Sequence, residues 1–161
     1  MKEACLFMES PLGELVITGN ESGITGIFFG KEPFLKKYPS GLPQSESDPL
    51  LTQASMELNE YFSGNRKTFE VPMSYRGTEF QEAVWQELAR IPYGTTKTYG
   101  EVAKAIKRDK AVRAVGQANR SNRLPILIPC HRVMGANKAL TGYAGNLIDK
   151  KELLLSLEGA L

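Results

Sequence analysis

The chain has 161 residues, which allows one domain or a small domain joined to a larger one. With 42% hydrophobic and 24% charged residues it has the composition of a globular chain rather than a disordered one, and its two distant cysteines, Cys5 and Cys130, exclude a disulfide framework and suit a reducing compartment. No apolar run approaches membrane-spanning length and no N-terminal leader pattern is present, so an intracellular protein is expected.

Residues 1–30 read as strands. Cys5–Met8, Leu15–Thr18 and Ile24–Phe29 are apolar, partly β-branched runs. Pro11-Leu12-Gly13 and the stretch Gly19–Gly23 supply turns, which predicts a small antiparallel meander. Residues 30–45, rich in Pro, Gly, Lys and Ser, read as a loop. From Asp48 the apolar positions Leu50, Leu51, Ala54, Met56, Leu58, Tyr61 and Phe62 recur at helical spacing, with Asp48 as cap, Pro49 in the first turn and Gly64 as stop. A short extended run, Phe69–Pro72, leads into a linker, and a domain boundary is placed at about residue 77.

Thr78 then caps a helix whose apolar face holds Phe80, Val84, Trp85, Leu88 and Ala89, and which Ile91-Pro92-Tyr93-Gly94 ends. Such a stripe ordinarily packs into a core. Residues 95–122 read as helix-turn-helix: Thr98 caps a helix with Val102, Ala103 and Ile106, the charged turn Lys107–Lys110 follows, and a second helix covers about 111–119. Residues 1–80 hold 7 Lys+Arg against 11 Asp+Glu, a net of −4, while residues 81–161 hold 13 against 7, a net of +6. Most of that excess lies in 97–132, which suggests a polyanion partner, although a solvated face would give a similar count. A last Leu-rich helix ends at Glu158-Gly159. The fold class read from these elements is α/β (α+β). A small N-terminal antiparallel sheet plus helix domain (1–77) precedes a mostly helical domain (78–161) with the helix-turn-helix.

One stretch carries chemistry. Leu124–Ile128, an apolar run, leads to Pro129-Cys130-His131-Arg132-Val133, and His131 is the only histidine of the chain. The prolines favour a rigid extended segment. A thiol is a nucleophile as thiolate, and a base beside it supplies that form. Neighbouring residues of an extended segment face opposite ways, so the dipeptide leaves open a direct contact or a relay through water. A free cysteine is more often a buried, inert one, and the residues by themselves go no further.

Pro129-Cys130-His131-Arg132-Val133 with Pro125–Ile128 upstream resembles the active-site signature of the O6-alkylguanine-DNA alkyltransferases, the methylated-DNA–protein-cysteine methyltransferases. Phe80-Gln81, Val84-Trp85, Ile91–Gly94, Thr98–Gly100, Arg113–Gly116, Ser121-Asn122, Gly142-Tyr143 and Glu158-Gly159 extend the resemblance over about 78–159. Over 1–77 it is one of general layout.

The resemblance implies a DNA repair protein that moves a methyl or small alkyl group from O6 of guanine irreversibly to Cys130, one molecule acting once. His131 would act as base through a water, with Glu158 orienting it and Asn122 bracing the backbone around the site. Tyr99 would protonate guanine N3, and Arg113 would fill the place of the flipped nucleotide. The carbonyls of Cys130 and Val133 would read the guanine amine, and amides near Tyr143 and Ala144 would reach O6. Lys151 would support the base-binding loop, although Lys150 could substitute.

The implied partner is double-stranded DNA containing O6-alkylguanine, bound by a monomer without membrane association, in the cytoplasm or, in a eukaryote, the nucleus. No cofactor or metal is implied. The zinc site of some relatives lacks its ligands here, since Cys5 is the one N-terminal cysteine and no histidine precedes His131. Two other classes remain as alternatives. One is a non-catalytic lesion-binding protein, which would lack the acceptor cysteine; the other is a helix-turn-helix regulator, which would not depend on Cys130.

Overall fold

The structure, a computed structural model, describes residues 2–136 and 148–161. It divides into two compact units, Met1–Tyr75 and Arg76–Leu161. No helix among the described residues is long and apolar enough to cross a membrane.

The first unit is the expected meander. Strands β1 (Ala4–Ser10), β2 (Gly13–Asn20) and β3 (Gly23–Phe29) pair antiparallel in that order, with Leu6 opposite Ile17 and Ile17 opposite Ile27. The first turn closes at Gly13, whose φ of 93° favours a residue without a Cβ. The Asn20 side chain accepts from Ser22 N at 2.8 Å and shapes the second turn.

One expectation fails here. Residues 30–45 are not all loop, because Lys31–Lys37 forms helix α1. Its reason is tertiary: Phe34 is buried, with ring centroids 5.9 Å from Phe7 and 5.7 Å from Phe28 in edge-to-face packing. A run of Lys, Glu and Pro with one buried aromatic carries too little periodicity to announce this.

Helix α2 (Pro49–Phe62) lies on the sheet. The Asp48 side chain accepts from Leu50 N at 3.0 Å and Leu51 N at 2.9 Å, so the cap is the one the sequence suggests. At the other end Gly64 has φ 84°, Gly64 N donates to Tyr61 O and Asn65 N to Glu60 O, which is a Schellman stop. Met56, counted among the apolar positions, is exposed, whereas its neighbour Glu57 is buried. Glu57 Oε1 accepts from Glu70 N at 2.9 Å and Val71 N at 3.1 Å, and Oε2 from Gln53 Nε2 at 2.8 Å. Burial raises the Glu57 pKa, but these donors together with Arg66 outweigh it and hold the carboxyl below its ordinary value.

In the second unit α3 (Glu79–Leu88) opens with a capping box, Gln81 N donating to Thr78 Oγ1 at 3.1 Å and Thr78 N to Gln81 Oε1 at 2.9 Å. Val84, Trp85 and Leu88 are buried, and Trp85 Nε1 donates to Ala118 O at 2.9 Å. The stripe is therefore core, and it seats the helix-turn-helix: α4 (Tyr99–Ala105) and α5 (Val112–Arg120). Helix α4 starts on a second capping box, Thr98 with Glu101. It ends on a Schellman motif with Lys107 at φ 61°, Lys107 N donating to Lys104 O and Arg108 N to Ala103 O. A non-glycine residue there costs about 1–2 kcal/mol, which the two bonds offset. The two-residue strands β4 (Lys97–Thr98) and β5 (Val133–Met134) pair parallel, tying the start of α4 to the chain that follows Cys130. Helix α6 (Ile148–Leu157) completes the unit.

Candidate active site

The residues from Asn122 to Val133 are not the extended segment that their prolines suggest. They form a series of turns. Ile128 N donates to Leu124 O at 2.8 Å, closing a loop in which Ile126 takes φ 76°, an uncommon conformation for a β-branched residue. At Pro129, φ −79° and ψ 64° with Cys130 N donating to Ile128 O at 2.7 Å define an inverse γ-turn. Cys130–Arg132 is then one turn of 3₁₀ helix. Proline sets φ for such turns as readily as for extended chain, and the sequence alone does not choose between them.

Two asparagines hold this shape. Asn122 Nδ2 donates to Ile128 O at 2.9 Å and its Oδ1 accepts from Leu124 N at 3.0 Å, clasping the loop at both ends. Asn119, on α5, is buried and donates from Nδ2 to Cys130 O at 3.3 Å.

Cys130 is 2% exposed, and burial pushes its thiol up to about 11. A hydrogen bond with the Asn122 side chain and the charge of Lys151 act in the opposite sense. His131 is fully buried and its Nε2 lies 2.7 Å from Glu158 Oε2. Burial lowers its pKa below the ordinary 6.5, while the Glu158 bond pulls upward and loses. Burial thus disfavours the charged imidazolium at this position.

Glu158 reaches this place because α6 stops there. Gly159 has φ 76°, Gly159 N donates to Ser156 O and Ala160 N to Leu155 O, so Glu158 is the C-cap residue of a Schellman end. Its carboxylate also accepts from Arg132 Nε at 2.8 Å and Nη2 at 2.9 Å, and from Gly94 N at 3.3 Å. Lys151, on the inner face of α6, is fully buried; its Nζ donates to Val133 O and lies 6.0 Å from the centre of the Tyr99 ring. Burial brings Lys151 down to about 8, against the pull of Cys130. Lys150 is only half-buried, so the geometry favours Lys151 for a supporting contact.

Tyr99, the first residue of α4, lines a cleft of about 560 Å³ with Val112, Arg113, Gly116, Gln117 and Arg120 of α5. Arg113 is exposed there, and a Cβ on Gly116 would meet nothing within 4 Å, so the helix presents an open floor. Among the described residues no group of His, Cys, Asp and Glu could hold a metal.

Cys130, His131 and Glu158 lie together in the unit that carries the basic helix-turn-helix, and both units resemble known proteins. Residues 4–75 match the 6-O-methylguanine DNA methyltransferase ribonuclease-like domain and residues 79–160 match the DNA binding domain of the same methyltransferase. The chain belongs to the 6-O-methylguanine DNA methyltransferase family.

A constitutive methylated-DNA–protein-cysteine methyltransferase of Bacillus subtilis is 50% identical over 151 residues, covering 93% of this chain and 92% of its own. One from Methanosarcina acetivorans is 47% identical over 152 residues, covering 94% and 96%. The crystal structure of Mycobacterium tuberculosis O6-methylguanine methyltransferase superposes with a TM-score of 0.89 at 39% identity, covering 98% of this chain and 93% of the other. That of the Mycobacterium tuberculosis OGT in complex with DNA gives 0.85 at 40% identity, with the same coverage.

Of the residues expected from this family's pattern, Cys130, His131, Glu158, Asn122, Val133 and Lys151 gather around one turn, and Tyr99 and Arg113 share the adjoining cleft. Tyr143 and Ala144 lie outside the described residues. The sequence reading missed Arg132 and Asn119 as parts of the site. Arg132 stands in the Pro129–Val133 signature and in the basic excess, but neither assigns it a role, because its burial is not visible in the sequence.

Proposed function

We propose that this protein repairs DNA by transferring a methyl or small alkyl group from O6 of guanine to Cys130, each molecule reacting once. The observation that carries this reading is the convergence of Cys130, His131 and Glu158 in a buried turn of the second unit of a methyltransferase-family chain. In the reaction the Cys130 proton passes through a water to His131. The sulfur then attacks the alkyl carbon, the carbon–O6 bond breaks, and its electron pair leaves with guanine.

Tyr99 would give guanine N3 a proton, since neutral guanine leaves more readily than its anion. With Cys130 only 2% exposed, a stacked base cannot reach its sulfur, so the nucleotide must be flipped out, with Arg113 of α5 filling its place. Asn122 and Asn119 would hold the turn that aims the sulfur. Val133 O, which takes the Lys151 ammonium on one lone pair, would use the other for the guanine amine. The first unit, residues 1–77 in our division, would serve as a scaffold for the second, residues 78–161. Double-stranded DNA is the partner, one chain suffices as the acting unit, and a reducing compartment, cytoplasm or nucleus, keeps the thiol ready.

The test is mass spectrometry of the protein after mixing with a duplex that carries one O6-methylguanine. One added methyl group on the peptide containing Cys130, saturating at one per chain, is the expected result, and Cys130→Ala should transfer nothing. An unmodified wild-type protein that binds the lesion tightly, or repeated turnover, would overturn the reading.

A further inference from the structure

Glu158 is an awkward place for a carboxylate. It caps the C-terminus of α6, where the helix dipole already concentrates negative charge, and it is buried. An isolated buried charge of this kind is costly unless paired and hydrogen-bonded. Arg132 supplies the pairing in the geometry that suits it best, Nε on Oε1 at 2.8 Å and Nη2 on Oε2 at 2.9 Å, a two-pronged contact. Its remaining nitrogen Nη1 donates to Ile91 O at 2.7 Å, and the guanidinium carbon lies 5.7 Å from the Tyr93 ring centre. The plane is therefore fixed from three directions, and the carboxylate with it.

His131 Nε2 shares Oε2 with Arg132. A carboxylate alone beside an imidazole would favour the imidazolium, which is the wrong state for a base waiting to accept a proton. With Arg132 in place the Glu158–Arg132 pair is neutral overall. It can then orient the ring through one hydrogen bond without holding a proton on it.

We propose that Arg132 is a positioning residue that clamps and neutralises Glu158, so that His131 waits as an uncharged imidazole carrying its proton on Nε2 and taking the Cys130 proton on Nδ1. This rests on the proposed role of His131 as base. The charges that act on the ring come from Glu158 and Lys151 on α6 and from Arg132 on its own turn, beside Cys130, with Tyr93 and Tyr99 nearby. Helix α3 also packs on this turn, but its acids are engaged elsewhere: Glu82 accepts from Gly77 N, Glu87 pairs with Arg90, and Glu79 is exposed. Arg132 and Lys151 both disfavour the imidazolium and Glu158 alone favours it, so removing Arg132 shifts the balance toward the charged ring.

Because His131 is the sole histidine, isotope labelling of histidine makes the ring directly visible by NMR in the full chain without DNA. The wild-type ring should be neutral with its proton on Nε2 and should titrate below 6.5. In Arg132→Gln it should titrate higher by about one to three pH units, and the acid limb of the transfer rate should move with it. Arg132→Lys, which keeps the charge, should stay near wild type. A wild-type ring charged at neutral pH or protonated on Nδ1 overturns the proposal, and so does an Arg132→Gln ring that titrates at or below wild type. If Arg132→Gln fails to fold, the wild-type tautomer and the Arg132→Lys titration still decide. Methyl transfer to Cys130 is scored separately by mass, so an inactive wild type with the expected NMR would remove the functional reading and leave the charge arrangement standing.

Discussion

Among the described residues each unit of the molecule buries one carboxylate, and the two differ in their donors. Glu57, in the first, accepts from two backbone amides and a glutamine side chain. Glu158, in the second, accepts from the side chains of His131 and Arg132 as well as from one amide. Amides do not titrate, so Glu57 can only pin the chain at residues 70–71 to α2. An imidazole does titrate, and a carboxylate bonded to it governs where a proton sits. Burial of an acid therefore says little about function, whereas the chemistry of its donors says a great deal.

The comparison can be broken by changing each acid. Glu158→Gln should leave the ring poorly oriented and reduce the rate of methyl transfer by about 10²–10⁴-fold, the range ordinarily contributed by a positioned base. Single-turnover kinetics on an O6-methylguanine duplex would measure it, and a rate within twofold of wild type would place Glu158 with Glu57 as a purely structural acid.

Glu57→Ala should act on stability. It strands two backbone N–H groups, at about 1–3 kcal/mol each at full burial, and some relief by water makes a loss of about 2–4 kcal/mol the expectation in urea unfolding. Since the folded pKa of Glu57 is depressed, its contribution is present above the ordinary value of 4.5 and disappears as pH falls through the lower folded value. Glu57→Ala should therefore lose the acid dependence that wild type shows there. The smallest effect is expected at Thr78→Ala, where loss of the capping box should cost about 1 kcal/mol and leave transfer by the folded protein unchanged.

Much of this molecule could be read locally. Asp48, Thr78 and Thr98 cap the helices they precede, and Gly64 and Gly159 end theirs, because capping depends on residues three or four apart. The three strands and the helix-turn-helix follow from apolar spacing, and Trp85 packs inward as its stripe suggests. Cys130, His131, Asn122 and Glu158 were legible through a resemblance spread over separated motifs, although nothing in residues 150–161 by itself says that Glu158 is buried.

What the tertiary structure alone decided has a common cause, which is distance along the chain. Arg132 meets Glu158 across 26 residues and Asn119 meets Cys130 across 11, so no local pattern records either bond. Lys151 rather than Lys150 faces Val133 because α6 turns one of them inward, and α1 exists because Phe34 finds Phe7 and Phe28. The turns around Pro129 are partly of the same kind: proline restricts φ, and the shape is held by Asn122 at the head of the segment and by Asn119 from α5. Sequence by itself determined most of the helices and strands, α1 and the turns around Pro129 excepted, and which residues have reactive chemistry. Packing decided which charges stand next to one another, bringing Arg132, Glu158 and Lys151 around His131.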